Sequence, residues 1–501
     1  MNFGGEMAQS EARGVARHSA IYFLGGLANR SASFLLLPLY LKTLTPTEFG
    51  WLSLVLAATE ILALGIGLGI GGALVRLIVA CRDHEEVGTV IGSSIALFLL
   101  PASLTLALIW PASQILASYF ADTGIAASLF ALGMSAAVFS VLFEVLLSVY
   151  RGLKKSWWYT FLSTAKSVLF LGLNLLFLLV MGWGVSGILF GTFLSMALLC
   201  ALAISQLIRH YPVSVSRSHM KRLARIGLPI VPGAVMDAVF ASLDKFFLAA
   251  EVSAAMVGVY ALAGRLAQLL RISVAAPFAQ IWTVRRLEVE TDPNPDTPPA
   301  VFRAIMVVFL AVLIFVSLAL SILAPEVIWV IGRVEYMDAA RFLPLILLGL
   351  LLYVLKWNFE IGIYAREKTI WISLVSFATV ATAIPVYIVL VPAYGAMGAA
   401  VAFVALGALR AVLTMIVANR ISSIVRTFPF TELGVFLALA TAAYLGVGYF
   451  AGPPTPFGAL VLRLGILLCA AILGGVMLFA DPHLRVSTIA NFRKRQKNRD
   501  T

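Results

Sequence analysis

Charged side chains stand where a hydrocarbon-spanning chain should be free of them. Arg30, Lys166, Lys245, Arg265, Arg271, Arg303, Lys356 and Arg410 fall inside or at the edges of apolar runs, as do Glu60, Glu144, Asp237, Asp244 and Glu360. A charge at the bilayer centre costs a few kcal/mol or more, so such groups face a bundle interior or a wet cavity and find partners there. Three chemistries are open to them: ion pairing, recognition of a charged cargo, and titration of a carboxylate by a coupling ion. Spacing begins to sort them. Asp237 and Asp244 are seven apart and share nearly one helix face. Lys245 is rotated by about 100° from Asp244, placed to pair with it locally and to snorkel. Asp237 lies deeper and reads as a cavity-facing or ion-coupling group. Arg265 and Arg271 share a broad face with Gln268 between them. Lys356 and Glu360, four apart, can pair along one helix. Arg30, beside Asn29 in GGLANRSASF, is near the middle of its segment, where snorkelling does not reach. Lys166 sits in STAKSVLF. Glu60 and Glu144 are available to pair with these bases or to carry a proton. Arg410 reads as snorkelling toward the inner side and Arg303 as cytoplasmic.

The elements that hold these residues follow from composition. The 501 residues are 61% hydrophobic and 12% charged, with mean hydropathy +0.99. Soluble domains carry about 25% charged residues, so a large soluble α-protein is excluded. Apolar runs of roughly 20 residues recur, each long enough to cross a bilayer as a helix. They do not alternate, which excludes a β-barrel, the other structure that satisfies its backbone in lipid. The pattern predicts an all-α polytopic membrane protein of about 14 spans: 19–41, 50–75, 88–110, 125–149, 157–180, 184–207, 226–250, 256–282, 301–323, 342–364, 370–391, 395–417, 432–451 and 458–479. The first run lacks a cleavage site and reads as a span, not a signal peptide.

Basic residues set the orientation. With both termini cytoplasmic, inside segments hold about 24 of the 36 Lys and Arg residues, and outside loops hold Lys42, Arg333, Arg341 and Arg463. The tail NFRKRQKNR suits anionic lipid and no nucleic acid is expected. Cys81, Cys200 and Cys469 are far apart and imply neither disulfides nor a metal site. The largest outside loop, 324–341, has no nucleophile–base constellation, which argues against a polymerase, ligase or other enzyme.

Two pairs of segments repeat. Thr45–Ala57 (TPTEFGWLSLVLA) resembles Ser253–Arg265 (SAAMVGVYALAGR) at an offset of 208, and Gly182–Gly191 resembles Ala393–Ala402 at 211. A unit of about 200 residues is therefore duplicated. It holds six spans, an even number, so the copies run parallel about an axis along the membrane normal, one of the repeat schemes of secondary transporters. The expected organisation is a cytoplasmic segment 1–18, a six-helix lobe 19–207, a basic cytoplasmic linker 208–225, a second six-helix lobe 226–417, two additional spans within 418–480 and a basic tail 481–501.

On LPLYLKTLTPTEFGWLSL (Leu37–Leu54), LDKFFLAAEVSAAMVGVYALAGRL (Leu243–Leu266) and YGAMGAA (Tyr394–Ala400) the chain resembles the multidrug/oligosaccharidyl-lipid/polysaccharide exporter superfamily, and within it the Wzx-type polysaccharide-biosynthesis flippases. The resemblance covers spans 1–12. It implies two lobes around a cavity that opens alternately to each side of a bacterial inner membrane. It implies undecaprenyl-pyrophosphate-linked oligosaccharide as cargo for exopolysaccharide or O-antigen assembly, and membrane lipid and other polysaccharide-assembly proteins as partners. No cofactor is implied beyond a coupling proton or sodium ion. It places cavity bases in spans one and eight, where Arg30 and Arg271 stand. A guanidinium fork matches phosphate oxygens, so both are expected at the pyrophosphate, with Arg265, Lys245, Lys166, Asn29 and Gln268 as further substrate contacts. An interhelical ion pair with Glu60 or Asp237 is the alternative for Arg30 and Arg271.

GIGLGIGG (Gly65–Gly72) contains a formal dinucleotide fingerprint, but it lies within a span and reads as helix packing or a bend. A peptidoglycan-precursor flippase and a cation-coupled drug exporter remain alternatives. The spans carry slightly more bases than acids, which favours an anionic cargo over a cationic drug.

Overall fold

The computed structural model describes residues 36–291, 299–422, 424–450, 463 and 465–467, and every regular element among them is helical. Eleven stretches of it are long and apolar enough to cross a membrane. One, Ile370–Ile421, holds two predicted spans, so twelve of the fourteen are accounted for. Span 19–41 enters the described residues only at its end, as the helical stretch 36–43. Most of 458–479 lies outside them, as do 1–18 and 481–501. Large side chains such as Leu100, Leu104, Trp110 and Ile115 are exposed. This is the lipid-facing surface of a multipass integral membrane protein.

The chain forms two compact units, Met1–Gly258 and Val259–Thr501. In the first, α1 (Pro46–Gly67) starts at a capping box. The Glu48 N–H donates to Thr45 Oγ1 (3.3 Å), the Thr45 N–H donates back to Glu48 Oε2 (2.8 Å), and Pro46 fills the first turn. Leu68 and Gly69, both left-handed (φ 47° and 63°), separate α1 from α2 (Ile70–Ala80). The break falls in GIGLGIGG, and Gly69 meets the backbone of Gly227 there, so that stretch serves a bend and close packing. Next come α3 (His84–Tyr119), α4 (Ala127–Gly152), α5 (Ser156–Leu175, continued by a π-helical turn Leu176–Val180) and α6 (Gly184–His210). Their core joins Leu74, Ile91, Phe98, Phe143, Leu146 and Leu162. Most of the linker is also ordered. Residues 211–216 lie along α3, where Gly88 and Gly92 leave room for the Pro212 and Ser214 carbonyls. α7 (Arg217–Gly227) then buries Leu223 and exposes Arg217, Lys221, Arg222 and Arg225. α8 (Val231–Glu251), the seventh predicted span, packs on α1.

α9 (Ala254–Leu270) leads into the second unit, through a π-helical turn Arg271–Ala275 and α10 (Ala276–Thr291). α11 (Pro299–Ile322), the short α12 (Ala324–Ile331), α13 (Ala339–Ala365), α14 (Ile370–Ile421) and α15 (Phe430–Phe450) complete it. α14 is two helices joined at Gly395 (φ 58°, ψ −136°). Ser376 and Arg410, on opposite sides of that joint, touch, so the halves fold back as two antiparallel spans. The duplication is visible here. The offset of 211 carries Gly184 (φ 55°), at the junction of spans five and six, onto Gly395, at the junction of spans eleven and twelve. Both adopt the left-handed conformation that glycine alone enters freely. Gly187 and Gly398, one turn on, lie against the Cβ atoms of Trp183 and Tyr394.

Candidate functional site

On α8, Lys245 turns back on its own helix. Its Nζ donates to Asp244 Oδ1 (3.0 Å) and to the Ala241 carbonyl (2.9 Å), and Oδ1 also accepts the Lys245 N–H (2.8 Å). Asp244 is buried at 7% exposure, whereas Asp237, two turns earlier, is half-buried. The local pairing expected of Asp244 and Lys245 is what the structure has. Glu60 is exposed on α1. Between α5 and α4, Lys166 Nζ meets Glu144 Oε1 at 2.9 Å and lies 5.5 Å from the centre of the Phe143 ring.

On α9, Arg265 is exposed. Arg271 is half-buried at the first residue of the π-helical turn, and its Nε donates to Gln268 Oε1 at 2.9 Å. Among the described residues of the second unit no carboxylate stands against its Nη atoms. A π-turn inserts one residue into the i→i−4 ladder and recurs at functional sites. Here it begins at Arg271.

The most enclosed charges lie between α13 and α14. Lys356 Nζ and Glu360 Oε1 are 2.9 Å apart, with Lys356 2% and Glu360 8% exposed. Tyr353 stacks beside both cations of this cluster, its ring centre 4.7 Å from Lys356 Nζ and 5.3 Å from Arg410 Cζ. Arg410 is 1% exposed, and its Nη2 donates to Ser376 Oγ at 2.8 Å. The expectation that Arg410 snorkels is therefore wrong. It is enclosed because the fold-back at Gly395 brings a polar partner from 34 residues away. Two further bases of the second unit have partners. Arg303 pairs with Glu432 at 2.6 Å. Arg286, 4% exposed, lies over the Phe302 ring and donates to Thr427 Oγ1 (2.9 Å). Arg463, read as an outer-loop base, is buried against Glu326. Two buried amide contacts were not anticipated: Trp282 Nε1 to Asn358 Oδ1 and Tyr40 Oη to Asn174 Oδ1, at 2.9 and 2.8 Å. Asn29 and Arg30 lie outside the described residues.

Solved structures share this all-helical multipass fold. An inward closed conformation of the lipid II flippase MurJ matches at 14% identity over 93% of this chain and 99% of its own, with TM-score 0.72. An inward-facing multidrug resistance MATE family transporter of the MOP superfamily matches at 20% identity over 81% and 95%, TM-score 0.62. The eukaryotic MATE transporter AtDTX14 matches at 15% identity over 82% and 94%, TM-score 0.53. No curated protein sequence matches the chain. The polysaccharide biosynthesis protein family matches residues 15–282, more than half of the chain, and the protein belongs to that family. Its fold is the one that the lipid II flippase MurJ and the MATE family transporters share.

Proposed function

We propose that the protein moves an undecaprenyl-pyrophosphate-linked oligosaccharide from the cytoplasmic to the periplasmic leaflet of a bacterial inner membrane, for exopolysaccharide or O-antigen assembly. The observation that carries this reading is Arg271. Its guanidinium is steadied through Nε by Gln268, which leaves the two Nη groups as the edge for an anion, and a guanidinium edge is the geometry that binds phosphate oxygens bidentately. Arg30 and Arg265 add positive charge to the same path in this proposal, and Asn29 contacts the head beside Arg30. Lys166 and Lys245, each already paired with an acid, contribute less. The pyrophosphate enters from the cytoplasm, the polyprenyl tail stays in lipid, and the head is released after the lobes rock. Protonation or sodium binding at Asp237 or Glu60 resets the cycle.

A lipid II cargo is the second reading, favoured by the likeness to the MurJ fold. Both cargoes share a pyrophosphate head, so the sugar separates them. The test uses proteoliposomes loaded with fluorescent undecaprenyl-pyrophosphate oligosaccharide, with parallel lipid II and cationic-dye arms under proton and sodium gradients. Exposure of the oligosaccharide to an external glycosidase should require the protein and fall about tenfold or more in Arg271→Ala, the loss of a charge-assisted bidentate contact. Transport of lipid II alone, or of the dye alone, would replace this reading with the corresponding alternative. Full activity in Arg271→Ala would remove Arg271 from the path.

A further inference from the structure

The starts of α1 and α9 touch in a way that follows the internal repeat. The offset of 208 pairs Pro46 with Ala254 and Gly50 with Gly258, and all four residues lie in the first unit. Gly50 has no room for a side chain. A Cβ there would run into the Ala254 carbonyl, with the Gly258 nitrogen at 3.1 Å. Gly258 is the mirror case, where a Cβ would run into the Pro46 carbonyl with the Gly50 nitrogen at 3.0 Å. Residue 50 thus meets the copy of 46, and the copy of 50 meets 46. Two unrelated helices in contact have no reason to reciprocate in this way. Reciprocity is the signature of a two-fold, self-complementary contact, and these two helix starts meet in that way.

Deeper in each span the regular helix is interrupted. The offset of 208 carries residues 63–67 onto 271–275, the π-helical turn, and the Leu68–Gly69 break comes directly after the first of these stretches. Each of the two related spans therefore meets its counterpart at one end and loses regular helix further along, at neighbouring though not identical positions of the repeat. Irregular turns of this kind absorb bending. In the orientation expected from the basic loops, the joined ends face outward.

We propose that the Gly50–Gly258 contact is the outer closure of the transporter, made while the cavity faces the cytoplasm and parted to release cargo outside. This rests on the transport reading above. Glycine is needed on both sides because backbone-to-backbone approach admits no Cβ. A side chain at either position would hold the ends apart and favour the outward-open state.

For labelling, the experiment places a single reporter cysteine at Glu60 (Glu60→Cys, with Cys81, Cys200 and Cys469 changed to Ser) in the full chain, in right-side-out vesicles; cargo flux is measured separately, in the parent and in Gly50→Leu with Glu60 kept. Labelling by a membrane-impermeant maleimide is compared in Gly50→Leu, Gly258→Leu, the double variant, and the milder Gly50→Ala. A minor state populated at about 1–10% has room to rise roughly tenfold. Both leucine variants should raise outside labelling by similar factors, and the double variant should add little, since either side chain alone opens the contact. If the leucine variants do not fold, Gly50→Ala should still raise labelling. Unchanged labelling in folded variants would make the contact a fixed pivot and overturn the proposal, as would a cargo flux in Gly50→Leu equal to the parent's. The labelling arm needs no cargo. Altered labelling without flipping by the parent would sink the flippase reading and leave the closure standing.

Discussion

Lys356 and Glu360 form an ion pair of 2.9 Å one turn apart on α13, with side chains only 3% and 10% exposed. Enclosed this way, neither charge has water to fall back on. Removing one partner of a buried pair costs about 3–5 kcal/mol, because the other charge is stranded, whereas replacing both with apolar groups of similar volume is often neutral. Glu360→Gln should therefore lower the unfolding midpoint in detergent sharply. Lys356→Met combined with Glu360→Leu should recover most of the loss. A double variant as unstable as the single would show instead that the pair serves the fold through its charges, with Tyr353 and its other neighbours depending on them.

Arg410 asks for a guanidinium in particular. It donates to Ser376 and lies against Tyr353 at once, which a planar, multi-donor cation does and a lysine ammonium does poorly. Arg410→Lys should cost about 1–2 kcal/mol and Ser376→Ala about 1 kcal/mol. The double variant should fall short of the sum, because the two share one bond. Additive losses in thermal unfolding would mean that the bond is not what holds the two halves of α14 together.

These residues also mark what sequence alone made legible. Spans were readable because a bilayer demands some 20 apolar residues and forbids exposed backbone. Lys356–Glu360 and Asp244–Lys245 were readable because each partner lies within a helical turn. Arg410–Ser376, Arg286–Thr427 and Arg463–Glu326 were not, since each depends on which helices lie side by side, and hydropathy carries no such information. In the absence of a partner, a base in a span reads as snorkelling, and that is why Arg410 was misplaced. The π-turn at Arg271 left no trace in RISVA, because it reflects how a ladder accommodates its surroundings. The repeat was legible as weak similarity, and its positive-φ glycines at 184 and 395 give it a physical basis.

Cys81 sits at the end of α2, just beyond the span. Burial pushes its thiol above the ordinary range, the Glu86 and Asp83 carboxylates push the same way, and the Arg222 guanidinium opposes them. The thiolate is the reactive form, so a raised thiol is less reactive at a given pH. In a Cys200→Ser, Cys469→Ser protein the maleimide rate should rise with pH later than that of a free cysteine. Glu86→Gln should speed it about two- to threefold near neutral pH, by removing a charge that disfavours the thiolate. Arg222→Gln should slow it. A change of the same sign in both variants would mean that access governs the rate and charge does not.

Arg303 and Glu432 join the first turns of α11 and α15 at 2.6 Å, with side chains 30% and 22% exposed. At the far end of α11, Glu326 on α12 holds Arg463. Within the second unit α11 therefore has an ion pair near each end, one to α15 and one between α12 and Arg463. Partial exposure and a short bond place the Arg303–Glu432 coupling at about 1 kcal/mol, the upper part of the range for pairs open to solvent. Arg303→Glu alone should set two acids against each other and weaken the docking of α15. Protease cleavage in the 422–429 connection should then accelerate. Adding Glu432→Arg should restore the parent's rate, because the pair is re-formed with its polarity reversed. Cleavage that stays fast in the swapped protein would assign the docking to the apolar face of α15, and the pair would then be a consequence of that packing.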